Sequence, residues 1–329
     1  MKLVQPYVTL IEENNPIKKV ELIGRTCYKS EDKITDNSCM KFLDSLISRS
    51  HYAMLEHANM TFEIRGLNGM SSSILNLPYV RYTCKNIQYE DSPEHHELLQ
   101  YVTVSLSHIV KWSKSEYELD DLSNLIFRMF EFCFKSKYCN LKVDGDPGLC
   151  SATIPDGETI SVKILENVDE IAFVDEHDLD THSFCTVKFV CDRGVSHELV
   201  RHRCGVAQES TRYCNYTKEK FGQELMFIKP ADFDNFNVWS HGARDSFIYC
   251  CETAEATYKR MINNFGMSPQ QARAVLPNSL KTEVILTMPR WQWKHFINLR
   301  SIGTTGSPHP DMKVVADMAH NLLKEKKFL

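Results

Sequence analysis

The sequence predicts a mixed α/β protein of the α+β kind, and three observations carry that expectation. Two short β-prone runs, 60–64 (MTFEI) and 184–191 (FCTVKFVC), stand among longer stretches whose apolar residues recur at helical spacing. The composition, 43% hydrophobic and 25% charged, is that of a folded globular chain. At 329 residues the chain can bury a full core, as one large domain or two smaller ones.

Taken in order, residues 36–48 predict a helix, with Met40, Leu43, Leu46 and Ile47 on one face. The segment SHYAMLEH (50–57) leads into the strand at 60–64. Residues 65–181 are the least legible part. Within it a helix is expected over 122–134, a turn at VDGDPG (143–148), and a solvated acidic connection over 166–180. The strand at 184–191 feeds a helix that ends in Arg201-His202-Arg203. A helix over 245–265 stops at Gly266, and Ser268-Pro269-Gln270-Gln271 then reads as a capping box with proline at the first helical position. That short helix presents Arg273 and closes before Pro277. A further helix over 291–300 delivers Arg300. The last starts at His309-Pro310 and points Val314, Val315, Met318, Leu322 and Leu323 inward. No internal repeat and no low-complexity tract is visible.

Several function classes are disfavoured. A net charge of −5 argues against a nucleic-acid polymer as partner. No run approaches the ~18 apolar residues of a membrane span. The twelve cysteines form no CxxC pair and the start MKLVQPYVTL lacks a long apolar run, so reduced thiols and a cytoplasmic location are expected. His197 and His202 stand ~140° apart on a helix and cannot share one metal from one face, so no metal site is expected.

The chemistry concentrates in SHELVRHRCGVAQESTRYCNY (196–216). Arg201, His202 and Arg203 alone are explained by the negative end of a helix dipole. The polar run that follows, Gln208, Glu209, Ser210, Thr211, Arg212 and Tyr213, is not needed by a solvated helix end. It suits a phosphate beside a polar heterocycle, since each arginine offers a planar fork of donors. Cys204 and Cys214 flank the loop, and neither has an evident base beside it in sequence. His51, Glu56 and His57 form a second polar knot. Arg273 and Arg300, each alone, read as surface ion pairs.

Arg201-His202-Arg203, followed by Ser210 and Arg212-Tyr213, resembles the signature of flavin-dependent thymidylate synthases. SHYAMLEH is similar to that family's His-x4-Glu-His segment, QARAVLP (271–277) to its Ala-Arg-x-x-Leu-Pro stretch, and HFINLR (295–300) to its Phe-x-x-Leu-Arg stretch. PHPDM (308–312) resembles the start of its last helix. The resemblance covers 1–64 and 182–329, and it implies a single domain spanning 1–329 in which about 65–181 are an insertion atypical of the family. Three features depart from the pattern: six residues, Cys204 to Glu209, separate the arginine cluster from the serine, one fewer than usual; Pro289 occupies a usually polar position, with Arg290 and Trp291 in swapped order; and Ala53 replaces a hydroxyl.

The resemblance implies an α/β fold with an antiparallel or mixed sheet and flanking helices, assembled as a homotetramer with active sites at subunit interfaces. It implies dTMP synthesis from dUMP, with 5,10-methylenetetrahydrofolate as carbon donor, NADPH as reductant and FAD as the flavin. FAD would lie against Arg201, His202, Arg203, Ala53, Arg290, Trp291, His295 and His309. The nucleotide would be bounded by Glu198, Leu199, Val200, Arg201, Gln208, Glu209, Ser210, Thr211, Arg212, Arg273 and Arg300. Arg300 would polarise the uracil, Ser210 would position it, and His51 would stand by the flavin. A related enzyme acting on another pyrimidine nucleotide, and a catalytically degenerate dUMP-binding protein, are the alternatives.

Overall fold

The computed structural model describes residues 1–329 except 67–72, 90–91, 140, 155–156, 213–214 and 218–223, together with the side chains of 89 and 92–96. Tyr213 and Cys214 of the sequence motif lie outside the described residues. Two short strands, β1 (Lys2–Val4) and β2 (Tyr7–Leu10), precede α1 (Pro16–Tyr28). Asn15 caps α1 by accepting from the amides of Ile17 and Lys18, and Lys29 closes it at φ 49°. Then come α2 (Ser38–Ser48), a 3₁₀ segment Tyr52–His57, β3 (Asn59–Arg65), β4 (Arg81–Tyr89), β5 (Ser92–Ser105), α3 (Leu106–Ser113) and α4 (Asp121–Tyr138). The hairpin β6 (Leu149–Thr153) and β7 (Thr159–Ile164) leads to α5 (Glu176–His182), β8 (Phe184–Asp192) and α6 (Arg193–Leu199). The remainder is β9 (Gly205–Gln208), β10 (Met226–Ile228), α7 (His241–Asn263), α8 (Pro269–Ala272), β11 (Lys281–Pro289), α9 (Arg290–Ile297) and α10 (Pro310–Glu325).

The fold is mixed α/β, with antiparallel sheets flanked by helices. One sheet has the order β2-β8-β11-β9 and the other β4-β5-β3-β7-β6, while β1 and β10 form a small parallel pair. Strand β8 is buried along most of its length because it has a strand on either side and helices packed on its sheet. Beneath it, Phe189, Trp293 and Phe296 pack ring on ring. Under the other sheet, Phe62 stacks on Phe130 at 4.1 Å between centroids.

The two sheets share one plan. In each, a central strand lies beside a long strand that runs directly into a helix, β8 beside β11 with α9, and β3 beside β5 with α3. A further strand pairs outside the long one, β9 in one sheet and β4 in the other. The registers agree residue for residue. Val187 lies between Leu286 and Leu10, and Phe62 lies between Val102 and Ile164. One residue back, the hydroxyls of Thr186 and Thr287 meet at 2.8 Å, and those of Thr61 and Thr103 at 2.7 Å. The flanking strands are exchanged: β2, from the start of the chain, pairs with β8, while β7 pairs back to β3. Two histidines cross likewise. His57 Nδ1 lies 2.7 Å from Thr287 Oγ1, and His182 Nδ1 lies 2.7 Å from Thr103 Oγ1.

Two local expectations are corrected. The acidic stretch 166–180 is not wholly solvated: Asp178 is fully buried and paired with Lys85 at 2.5 Å, and Asp180 is tied to Lys294 at 2.6 Å. On α10, Val315 and Leu323 enter the core with Met312, Ala316 and Ala319, whereas Met318 is exposed. The helix turns its buried stripe through the alanines, which leaves Met318 on the opposite face.

Candidate functional site: an arginine-bearing loop, a groove and a junction cavity

Helix α6 is held at its start by Asp192, whose Oδ1 accepts the Val195 amide at 2.8 Å. The chain leaves the helix through Val200 in a tight turn, with the amides of Arg201 and His202 donating to the carbonyls of Glu198 and Leu199. Arg201 and Arg203 are thereby exposed and His202 is half-buried. The His202 ring lies edge-on to Phe296 with centroids 5.1 Å apart, and its Nε2 has no hydrogen-bond partner among the described residues. Burial first, then the nearby charges of Arg300 and His295, push its pKa down to about 4. The cluster therefore presents two fixed cations and one neutral imidazole at neutral pH.

Arg300 sits in a π-helical turn, Asn298–Ile302, that extends α9 and is closed by Gly303 at φ 79°. Its Nη1 donates to Glu198 Oε2 at 2.5 Å, so α6 and the π turn are locked together. Its Nε is buried and has no partner among the described residues. A guanidinium anchored at one end with a desolvated donor at the other is suited to an anionic or strongly polar ligand.

The polar loop after β9 is fixed separately. Gln208 Nε2 donates to Ser196 Oγ at 2.8 Å. Ser210 donates its amide to the Cys27 carbonyl, and its Oγ accepts from the Arg212 amide at 3.3 Å. Thr211 Oγ1 accepts from Arg273 Nη1 at 3.0 Å, and Arg212 Nε donates to Gln270 Oε1 at 3.3 Å. The loop and the α8 segment are thus one assembly carrying Arg212 and Arg273, while Arg300 belongs to a neighbouring one with Glu198. A groove of about 340 Å³ is lined by Glu198, Gly194, Asn278 and His309, joining α6, the turn after Pro277 and the start of α10.

Other expected residues stand elsewhere. Glu209 is buried at 3% exposure, accepts from the Tyr216 hydroxyl at 3.0 Å and pairs with Lys281 at 3.3 Å, so its carboxylate is committed to the interior. The Leu199 side chain lies wholly in the core, leaving only its backbone for a ligand, whereas Val200 is exposed. The Arg290 guanidinium is bound by Glu176, Asp180 and the Phe328 carbonyl. His51 and Ala53 are exposed around the 3₁₀ segment, with His51 Nδ1 3.5 Å from the Tyr28 hydroxyl. His295 is exposed on α9, and His309 is exposed at the cap of α10. Burial raises the Cys204 thiol to about 12, which removes it as a nucleophile.

A second cavity of about 400 Å³ lies where the two sheets meet. Arg203, Gly205, Thr287, Pro289 and Gln292 line one side, and Glu56, Tyr79, Arg81, His108, Lys111 and Tyr117 the other. Gly205 allows the approach: a Cβ there would stand 3.0 Å from the Glu56 carbonyl and 3.3 Å from His57 Nδ1. Ser107 Oγ and Arg81 Nε are buried without partners among the described residues, and the Arg81 guanidinium lies 5.5 Å from the ring of the exposed Trp291. Apart from Glu56, sequence reasoning missed this wall. Its other named residues come from 78–117, where no spacing or charge run set them apart.

Fold and site together define an α/β protein with arginines carried on the turn after α6, the polar loop and the π turn, and with cations lining a junction cavity. The chain belongs to the thymidylate synthase complementing protein family, whose sequence model matches residues 9–141 and 154–326. It is similar to the flavin-dependent thymidylate synthase of Pyrococcus furiosus, 32% identical over 115 residues that cover 33% of this chain and 43% of that protein. The enzyme of the same description from Geobacter sulfurreducens is 31% identical over 109 residues, 33% of this chain and 43% of that one. That from Mycobacterium marinum is 28% identical over 137 residues, 37% and 49% respectively. The chain thus spans less than half the length of these curated relatives. Among solved structures, a UMP/dUMP methylase, PolB from Streptomyces cacaoi bound with 5-Br dUMP, aligns with a TM-score of 0.37 at 20% identity, covering 45% of this chain and 69% of that one. No helix among the described residues is long and apolar enough to cross a membrane.

Proposed function

We propose that the chain is a flavin-dependent methyltransferase that converts dUMP to dTMP, with methylenetetrahydrofolate as carbon donor and NADPH as reductant. The observation that carries this reading is Arg300, clamped by Glu198 and left with a buried, unfilled Nε. Uracil C5 is a poor nucleophile, and a guanidinium at the ring edge favours the N3-ionised form, which raises electron density at C5. Glu198 fixes that guanidinium in place, so little reorganisation is needed as charge develops. Arg273 and Arg212, braced by Thr211 and Gln270, would take the nucleotide phosphate, with Ser210 as a positioning hydroxyl.

The junction cavity suits FAD, because it offers cations, aromatic walls and two unpartnered donors, Arg81 Nε and Ser107 Oγ. When bound there, FAD supplies hydride and one-carbon chemistry that no side chain can. Arg203 and Lys111 would neutralise its phosphates, and neutral His202 would add no charge at the ring. The neighbouring protein atoms orient both ligands and exclude water.

The test is to incubate the purified protein with dUMP, methylenetetrahydrofolate, FAD and NADPH and to identify the nucleotide by mass spectrometry. dTMP is expected. A different modified pyrimidine nucleotide would replace the substrate assignment, and unchanged dUMP would refute the activity.

A further inference from the structure

The exchange of strands and the crossed histidines have a simple origin if the two halves are copies of one unit. The shared register then identifies which residues correspond. Gly205 pairs with Thr287 and Arg81 pairs with Thr103, so Arg81 stands where Gly205 stands. Stepping back along both chains, Leu77, Pro78 and Tyr79 occupy the places of Arg201, His202 and Arg203. Both turns are anchored from the same position of the helix that follows the long strand, on carbonyls one residue apart in the correspondence. Gln292, the third residue of α9, donates to the Arg203 carbonyl at 2.9 Å, while the third residue of α3, His108, bonds the Pro78 carbonyl at 2.7 Å.

The first half has therefore kept the framework and lost the anion-binding groups. No cation stands at 77–79. Helix α3 ends at Ser113, without the π turn that carries Arg300 beyond α9, and the chain reverses at Ser115 with φ 59°. Arg81 and Lys111, cations that the first half does hold nearby, line the junction cavity beside Arg203. They add to the site of the second half. The boundary between the family's two matched stretches, 142–153, falls just before β7, the strand that the second half lends to the first.

We propose that the chain is a tandem fusion of two strand-exchanged copies of one unit, in which the first copy has given up its own anion site and serves as the built-in partner completing the second copy's. Residues 65–181 are then most of the first copy plus the start of the second. Each chain holds one nucleotide site, and the four units that the family resemblance implies are supplied by two chains. The identity of the nucleotide rests on the function proposed above; the fused architecture does not.

The experiment measures two quantities on the full-length, FAD-loaded protein: dUMP bound per chain by equilibrium dialysis, and molar mass by light scattering. One dUMP per chain, with a mass of one or two times the 38.0 kDa chain, is expected. Two dUMP per chain would show a competent site in the first copy and overturn the proposal. A four-chain mass would show that the first copy does not replace a partner subunit, and would overturn it as well. No bound dUMP at a one- or two-chain mass would refute the dUMP reading while supporting the fused architecture.

Discussion

Arg300 and Glu198 form the most consequential pair of side chains. Arg300→Ala removes the donor proposed to face the uracil and leaves Glu198 partly exposed, so folding is expected to survive and chemistry to suffer. The expected loss is about 10²–10³ in kcat, the usual scale for removing one preorganised donor at a developing charge, with little change in thermal midpoint. Near-normal kcat in a folded variant would contradict the role given to Arg300. Glu209 belongs to a different kind of group. It shares Lys281 with Glu283 deep in the protein, and despite its burial Glu283 is held down to about 2 by Lys281 and Lys29. Lys281→Met should destabilise the fold by about 1–3 kcal/mol, because it removes one of the cations that two buried carboxylates share and leaves Lys29 to serve both. A denaturant midpoint close to wild type would show that the two acids find other partners.

Among the elements, β9 and the 3₁₀ segment 52–57 meet at Gly205. Gly205→Ala should cost roughly 1–3 kcal/mol through overpacking against the Glu56 carbonyl, and should also widen the junction cavity. Unchanged stability and unchanged flavin retention would mean that the segment simply moves aside. Elements with local signals were legible in the sequence. The 268–271 capping box, the stop before Gly266, the strand at 184–191 and the helix at 122–134 were all fixed by residues within a few positions of one another. What could not be read depends on distant pairing. Asp178, on helix α5, looks solvated until Lys85 of strand β4 reaches it. Glu209 reads as a ligand residue until Lys281 is seen to claim it. The repeated plan survives in hydrogen-bond register and in a few residues, Thr61 with Thr186, Thr103 with Thr287 and His57 with His182. Apolar positions elsewhere interchange freely, and the charges that would have marked the first copy are gone. On the candidate site, sequence found the arginines and missed the wall that faces them.

At the scale of the whole molecule, the junction is built from buried neutral histidines, and that sets a pH dependence. Burial pushes the pKa of His57 down to about 3 and of His182 to about 4. Unfolded, both titrate near 6.5. Above that pH neither state binds their protons and they leave stability unchanged. Below it the unfolded chain takes up protons that the folded chain refuses, so stability falls by about 1.4 kcal/mol per pH unit for each histidine, levelling off at about pH 4 for His182 and about pH 3 for His57. Glu283 extends the decline, because its contribution is present above its ordinary range and is lost as pH drops through about 2. Urea unfolding at pH 7, 6, 5 and 4 should show a stability plateau followed by a steady loss. Constant stability from pH 6.5 to 4 would mean that the junction opens to water and the histidines titrate normally.

The central claim is that cations of the second half, walled in by the first, hold a uridylate beside a flavin so that each ligand affects the other. Flavin bleaching by NADPH, followed in the absorbance of the FAD-loaded protein with and without dUMP, tests it most directly. Bleaching should be markedly faster with dUMP present. Identical rates with and without saturating dUMP would contradict the claim.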